Sequence, residues 1–306
     1  MTCVPADTSD QQKVAAVVVV YFPDHDVYGN ILSYLDQVDL VILVDNSDVP
    51  ATNLLQAFAG ESRVMPIING TNLGVATALN QGACEARRHG CRFLLTMDQD
   101  SRATPGMVDT LKDLFVVPNL VRLAIASPFH LTSIGCKPDE TKPPFEECDT
   151  VWTSGNLLLL DVYDVAGPFV EELFIDFVDH EYCLRLRRLG YRVVQSNRAV
   201  LHHAIGIDLR SINLPFRQII ISNHSCLRRY YIMRNRLWVA AQYPEFKRFI
   251  WVDRRRILAE IFTILIFEKN KLEKFRMIIL GLKDYLSRSM GKFDTSRIDK
   301  GMHRSV

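Results

Sequence analysis

Blocks of apolar and polar positions alternate along the first third of the chain. Val14 to Tyr21 is a β-branched run without a charge, the pattern of a strand buried on both faces. Phe22-Pro23-Asp24 breaks it, since proline withholds an N–H from the ladder. Tyr28 to Gln37 is helical in pattern, and Leu40 to Val44 is a second buried strand ending at Asp45-Asn46-Ser47-Asp48. Thr52 to Ala59 reads as a short helix, Val64 to Ile68 as a third strand, Gly74 to His89 as a helix stopped by Gly90, and Phe93 to Met97 as a fourth strand. Strands and helices alternating at this spacing predict parallel βαβ units, an α/β fold with a nucleotide-type cleft.

The remainder is less regular. Met107 to Phe115 predicts a helix and Val121 to Ala126 a strand, whereas His130 to Thr150, with its prolines, reads as the least ordered loop. Leu157 to Asp161 reads as a strand after Trp152-Thr153-Ser154-Gly155-Asn156. Asp176 to Leu189 reads as a helix with Asp176 as its N-cap, stopped by Gly190. Tyr191 to Gln195 and Ala199 to Leu201 are expected as two short strands. From Ser222 to about Ser289 the pattern is helical, amphipathic, basic and aromatic. This divides the chain into residues 1–225 and a helical extension over 226–306.

Composition narrows the function classes. Lys+Arg of 36 against Asp+Glu of 35 leaves a net charge of +1, which argues against a nucleic-acid binder. No apolar run reaches the ~18 residues of a membrane span; Ile257 to Phe267 comes nearest and is interrupted by Glu260. Met1 to Asp10 is polar and lacks the apolar core of a signal peptide. Seven cysteines without a C-x-x-C pair fit reduced thiols and a cytoplasmic location rather than disulfides or zinc.

The chemistry concentrates where strands end. Asp98-Gln99-Asp100 follows the fourth strand, which sets two carboxylates at the sheet's carboxyl edge, where open α/β sheets bind ligands. Such a pair can hold a hard divalent cation, and the cation a phosphate; otherwise it is a solvated turn. Asp45 and its neighbours close the second strand in the same way, as a ligand contact or a plain turn. Asn72 can cap the next helix, where Gly74, Ala78 and Gly82 form a small-residue stripe that allows close approach to a sheet or a ligand. Asp179 falls in the first turn of its helix, where an anion is stabilised and can accept an alcohol's proton; its bland reading is a capping carboxylate. Glu181 and Arg185 are spaced to pair. His202-His203 follows a strand as a candidate metal ligand. Arg228-Arg229-Tyr230-Tyr231-Ile232-Met233-Arg234-Asn235-Arg236 offers phosphate-binding guanidiniums, or else a solvated basic face.

In this order the motifs resemble the family-2 glycosyltransferases of GT-A fold: an Asp-rich turn after strand two, an Asn-x-Gly helix, DxD, Ser-Gly-Asn, an acidic helix start and His-x-x-Gly. Thr96-Met97-Asp98-Gln99-Asp100-Ser101, Phe174-Ile175-Asp176, Asp179-His180-Glu181 and Arg229-Tyr230-Tyr231 are similar to the rhamnosyltransferase branch that uses dTDP-L-rhamnose. The resemblance covers about residues 14–240. It implies a mostly parallel central sheet flanked by helices, with the C-terminal helices added. It implies that Asp45, Asn72 and Gly74 line the donor nucleotide, that Asp98 contacts the ribose side, and that Asp100 with His203 holds Mg²⁺ or Mn²⁺ on the diphosphate. Trp152 would be a sugar platform, Arg234 would neutralise the leaving diphosphate, and Asp179 would be the base. The family's preceding Glu is Val178 here, so Asp176 and Glu181 share the candidacy. The implied reaction inverts the anomeric carbon and moves L-rhamnose to a glycan or lipid-linked saccharide of a cell-surface polysaccharide such as O-antigen or capsule. The helical tail would then meet the inner membrane face or a second subunit. Rival readings are a transferase using a UDP-sugar, a non-catalytic nucleotide-sugar binder, and a DxD phosphatase. The βα units that precede the motif, and Arg102 after it, argue against the phosphatase.

Overall fold

The computed structural model describes residues 12–132, 138–139, 141–203, 210–214, 217–221 and 223–297. Met1–Asp10 and the Ala204–Gly206 part of the His-x-x-Gly motif lie outside the described residues. Strands β1 (Val14–Val20), β2 (Leu40–Asp45), β3 (Val64–Ile68) and β4 (Phe93–Asp98) carry the helices α1 (Asp26–Leu35), α2 (Thr52–Ala57) and α3 (Val75–Arg88) between them. These four strands are mutually parallel, in the order β3-β2-β1-β4, as the βαβ rhythm requires. Val17, Val18, Leu94, Leu95 and Met97 are fully buried, and each such side chain contributes roughly 1.5–3 kcal/mol. Gly82 in α3 lies against Val17: a Cβ there would approach it to 2.3 Å. The small-residue stripe thus serves helix–sheet packing at that point.

Beyond β4 the sheet is mixed. β5 (Ser101–Ala103), α4 (Met107–Asp113), β6 (Leu123–Leu131), β7 (Phe145–Glu147), β8 (Asn156–Leu159), α5 (Leu160–Ala166), α6 (Val178–Arg188) and β9 (Arg192–His203) follow. The sheet continues β4-β8-β6-β9-β5, with β8 and β5 antiparallel to their neighbours and β7 added beside β9. Four expectations are corrected here. The two short strands over 191–201 are one strand; its polar middle is satisfied locally, since Asn197 Nδ2 donates to Pro143 O and Ser196 Oγ accepts from Arg198 and Ala199 N–H. The loop expected over 130–150 contributes strand β7. The strand expected over 157–161 ends at Leu159 and turns into α5. Finally, α6 begins at Val178, after Phe177, and Asp176 makes no capping bond to it.

After the hairpin β10 (Arg210–Leu214) and β11 (Arg217–Ile221) come α7 (Cys226–Gln242), α8 (Lys247–Ile266) and α9 (Lys271–Leu286). Ser225 caps α7 by accepting the Arg228 N–H. Helices α7 and α9 cross closely at Gly281, where a Cβ would come within 2.5 Å of the Tyr230 carbonyl. No helix among the described residues is long and apolar enough to cross a membrane.

Candidate functional site

The site forms at the carboxyl edge of β4, and sheet register assembles it. Antiparallel pairing of β5 with β9 sets Ser101 opposite His203. This brings a residue about a hundred positions away onto the turn that holds Asp98 and Asp100. One ligand atom from each of Asp98, Asp100 and His203 lies within 4.8 Å of the others. Gln99 anchors the turn: its Oε1 accepts the Tyr21 N–H at the end of β1, and its carbonyl accepts from Asn30 Nδ2. Ser154 Oγ accepts the Asp98 N–H and donates to Ser101 Oγ, which lies 2.6 Å from His203 Nδ1. A chain of hydroxyls therefore links the turn, the Ser-Gly-Asn segment and the histidine.

The electrostatics are those of a cation site. Burial, then the neighbouring Asp100 and Asp179, push the Asp98 carboxyl up to about 7, against the pull of Arg228. Burial also raises Asp100, with His203 opposing it, and lowers His203, with Asp100 opposing it. Carboxylates crowded in this way disfavour one another's charge. Two carboxylates and a neutral imidazole are a fitting donor set for a divalent ion such as Mg²⁺ or Mn²⁺. Asp98 thus joins Asp100 and His203 in one cluster, where the sequence reading had kept it apart on the ribose side.

Asp179 stands in the first turn of α6, nearly buried. Its Oδ2 accepts the Thr153 N–H at 3.1 Å, and its Oδ1 accepts from His180 N and His180 Nδ1 at 2.8 and 2.9 Å. Burial raises its pKa, but His180 and the Thr153 N–H outweigh burial and hold the carboxyl below the ordinary value. Glu181 is buried and closed off by Arg185 and by Tyr243 OH. Asp176 is bound by Arg228 through both carboxylate oxygens. Of the three candidate bases, Asp179 is the one that pairs only with a histidine and backbone N–H groups.

The approach to α6 is strained. Phe174, Asp176 and Phe177 all have φ above +60°, a conformation that costs non-glycine residues energy and is held only by its surroundings. α7 supplies that hold. Asn235 Nδ2 donates to the carbonyls of Leu173, Ile175 and Asp176, while Arg234 donates to those of Glu172, Leu173 and Gly291. Arg234 is buried between the rings of Tyr230 and Tyr231. The role expected for Arg234 at the leaving diphosphate is therefore corrected to a structural one. Arg228, one and two-thirds turns earlier on the helix, is the guanidinium whose field reaches Asp98 and Asp100.

The remaining candidates divide. Trp152 is half-exposed, its ring centroid 5.1 Å from that of His130 and 6.0 Å from that of His203, so an aromatic wall adjoins the carboxylates. Asp45 is fully buried, its oxygens accepting the Ser47 and Ala51 N–H groups. It shapes the turn after β2 rather than facing a ligand, which corrects the direct contact expected of it. That turn and the end of β1 bound a cleft of about 630 Å³ lined by Phe22, Asp24, Tyr28, Ser47 and Pro50. Asn72 Oδ1 accepts the Gly74 N–H, so Asn72 braces the turn before α3 while Gly74 is the helix N-cap. Gly74 has φ +90° and lies where a Cβ would meet Phe174 at 2.7 Å, so only glycine suits it. His180, Asn235 and Arg228 were missed as site residues. Their sequence signals were indirect: Arg228 and Asn235 stand in the basic run, and His180 in the Asp179-His180-Glu181 motif.

No family model matches the chain. Over 301 residues it is 29% identical to the dTDP-rhamnosyl transferase RfbF of Shigella flexneri, covering 89% of this chain and 95% of that protein. Its fold is similar to that of S. aureus TarS 1-349 in complex with UDP-GlcNAc, with a TM-score of 0.51, 13% identity and coverage of 90% of this chain and 73% of TarS 1-349. It is also similar to GalNAc-T7 with UDP, GalNAc and Mn²⁺, with a TM-score of 0.52, 12% identity and coverage of 63% of this chain. The match spans 43% of the GalNAc-T7 chain. The resemblance drawn from the motifs is borne out: the sequence relative is a rhamnosyl transferase, and the fold is that of GT-A glycosyltransferases.

Proposed function

We propose that this protein is a divalent-metal-dependent inverting glycosyltransferase that moves L-rhamnose from dTDP-β-L-rhamnose to a hydroxyl of a glycan or lipid-linked saccharide in cell-surface polysaccharide synthesis. The observation that carries the reading is the Asp98–Asp100–His203 cluster with Asp179 near enough for its charge to act on Asp98, in a fold similar to that of GT-A glycosyltransferases. The relative along nearly the whole chain supports the donor sugar.

Asp98, Asp100 and His203 would hold the ion, which when bound supplies Lewis-acid neutralisation of the leaving diphosphate. Arg228, whose charge acts on Asp98 and Asp100, adds a second positive charge beside them. The aromatic wall of Trp152 orients the sugar by stacking. The cleft between Phe22, Tyr28 and Pro50 receives the nucleobase, with Asp45 bracing its floor. Asp179, kept anionic by His180, takes the acceptor hydroxyl's proton as the oxygen attacks C1. Attack opposite the leaving group forms the new C–O bond as the C1–phosphate bond breaks, and the configuration inverts to the α-L-rhamnoside.

The test is a thermal-shift panel of dTDP-rhamnose, UDP-glucose, UDP-GlcNAc and GDP-mannose, each with and without Mn²⁺. A shift with dTDP-rhamnose that needs Mn²⁺ is expected. A larger shift with a UDP-sugar would retain the chemistry and overturn the donor. Ion-independent binding would overturn the metal assignment.

A further inference from the structure

Helices α8 and α9 are inside out for a water-soluble surface. Their inward faces carry charge: Glu260, Glu268 and Asp253 pair with Arg229, Lys274 and Arg236, and Asp284 pairs with Arg297 and accepts from Tyr230 OH. Their outward faces are apolar. On α8, Trp251, Leu258, Phe262 and Leu265 are exposed at intervals of seven, four and three, which is one helical stripe. On α9, Leu272, Ile279, Leu282 and Leu286 repeat the pattern at seven, three and four. Leu272 is 88% exposed, Leu286 70% and Leu258 69%, so neither stripe is covered by the described residues. Monomeric soluble proteins rarely leave a contiguous face of this kind uncovered.

The charges around the stripes identify what covers them. Lys247, Arg248, Arg254, Arg255, Arg256, Lys269 and Lys271 are exposed, whereas every Asp and Glu between residues 247 and 286 is buried or half-buried. Arg255 lies over the Trp251 ring, 4.6 Å from its centroid. A second copy of this chain is a poor occupant, because a two-fold contact sets the same arginines near one another. An anionic bilayer surface matches both features, with apolar side chains entering the acyl boundary and arginines meeting lipid phosphates. Trp beside Arg is the composition of that interface. With no spanning helix among the described residues, the contact lies in the plane of the membrane.

We propose that the α8–α9 face seats the protein on anionic lipid. The inference stands apart from the proposed transfer reaction and uses none of its residues. The test is flotation of the full-length protein with phosphatidylcholine vesicles, with and without one-third phosphatidylglycerol as the anionic component. Binding to the mixed vesicles that weakens with salt is expected, together with a blue shift of fluorescence that is absent in Trp251→Phe. Arg254→Glu with Arg255→Glu should lower partitioning by about tenfold or more, and Leu258→Glu with Phe262→Glu should abolish it. These sites are exposed, so circular dichroism and thermal midpoint should stay unchanged in each variant. Failure of the native protein to float overturns the proposal. So does a dimer in light scattering that the Leu258→Glu, Phe262→Glu variant converts to a monomer.

Discussion

At the residue scale, the two acidic centres of the cleft are tuned in opposite directions. Asp179 is held anionic by His180 despite burial, so it can act as a base throughout the neutral range. Asp179→Asn should keep Mn²⁺-dependent donor binding in calorimetry while turnover falls about 10²–10⁴-fold, the usual contribution of a positioned base. Unchanged turnover would remove Asp179 from the reaction. His180→Ala should raise the Asp179 pKa and move the acid limb of the kcat/KM profile to higher pH, whereas His180→Asn, which retains an N–H donor, should move it less. Asp98 is the opposite case, pushed up to about 7 by burial and by Asp100 and Asp179. Between the ordinary carboxylate value and about 7, the unfolded chain is ionised while the folded protein still holds the proton. The ion-free protein therefore loses stability as pH rises through that window. Asp98→Asn should raise ion-free stability at pH 8 by on the order of 1–2 kcal/mol after screening by solvent, and should abolish the stabilisation by Mn²⁺. Thermal melts at pH 5 and pH 8, with and without Mn²⁺, check both statements.

At the element scale, the strained entry to α6 sets where the base stands. Asn235 in α7 satisfies three backbone carbonyls around that entry. Asn235→Ala leaves them without that donor and should cost about 2–4 kcal/mol, read as a lower denaturation midpoint. It should also lower kcat by more than it raises KM, because Asp179 loses its position rather than the donor its site. This device explains why α6 was misread from sequence. Asp176 before an apolar-periodic stretch is a good local N-cap signal, yet α7, some sixty residues later, decides the start. Strands β1, β2 and β4 were legible because both of their faces are buried and their runs are nearly pure, and the edge strand β3, only partly buried, because it is a short apolar run at the expected βα spacing. β9 was not, because the loop at Pro143 satisfies its polar middle. Asp100 and His203 could be read from motif order. Arg228 could not be chosen over Arg234, because the two stand about 120° apart around one helix and only packing shows which side faces the cleft.

At the scale of the whole molecule, the C-terminal helices are tied to the cleft by the polar contacts of α7. We expect residues 226–306 to behave as an integral part of the fold rather than as a removable extension. Arg229 is buried and meets Glu268 at 2.6 Å from the α8–α9 connection and Glu260 at 3.3 Å from α8; Arg236 meets Glu260 at 2.9 Å. Ending the chain after Gln242 would strip both guanidiniums of their partners. A buried charge left without its partner costs about 3–5 kcal/mol, and two together approach the whole stability of an ordinary domain. The shift of α7 would then release Asn235 from the α6 entry and Arg228 from Asp176. Such a truncated chain should either fail to fold or lose donor-dependent thermal stabilisation along with membrane binding. Glu268→Gln, which keeps the size but not the charge, tests the same coupling in the full-length protein. It should lower the thermal midpoint while vesicle flotation persists, since the outward stripes remain. A truncated chain that melts cooperatively at the native temperature and still binds dTDP would show instead that the cleft folds independently of α8 and α9.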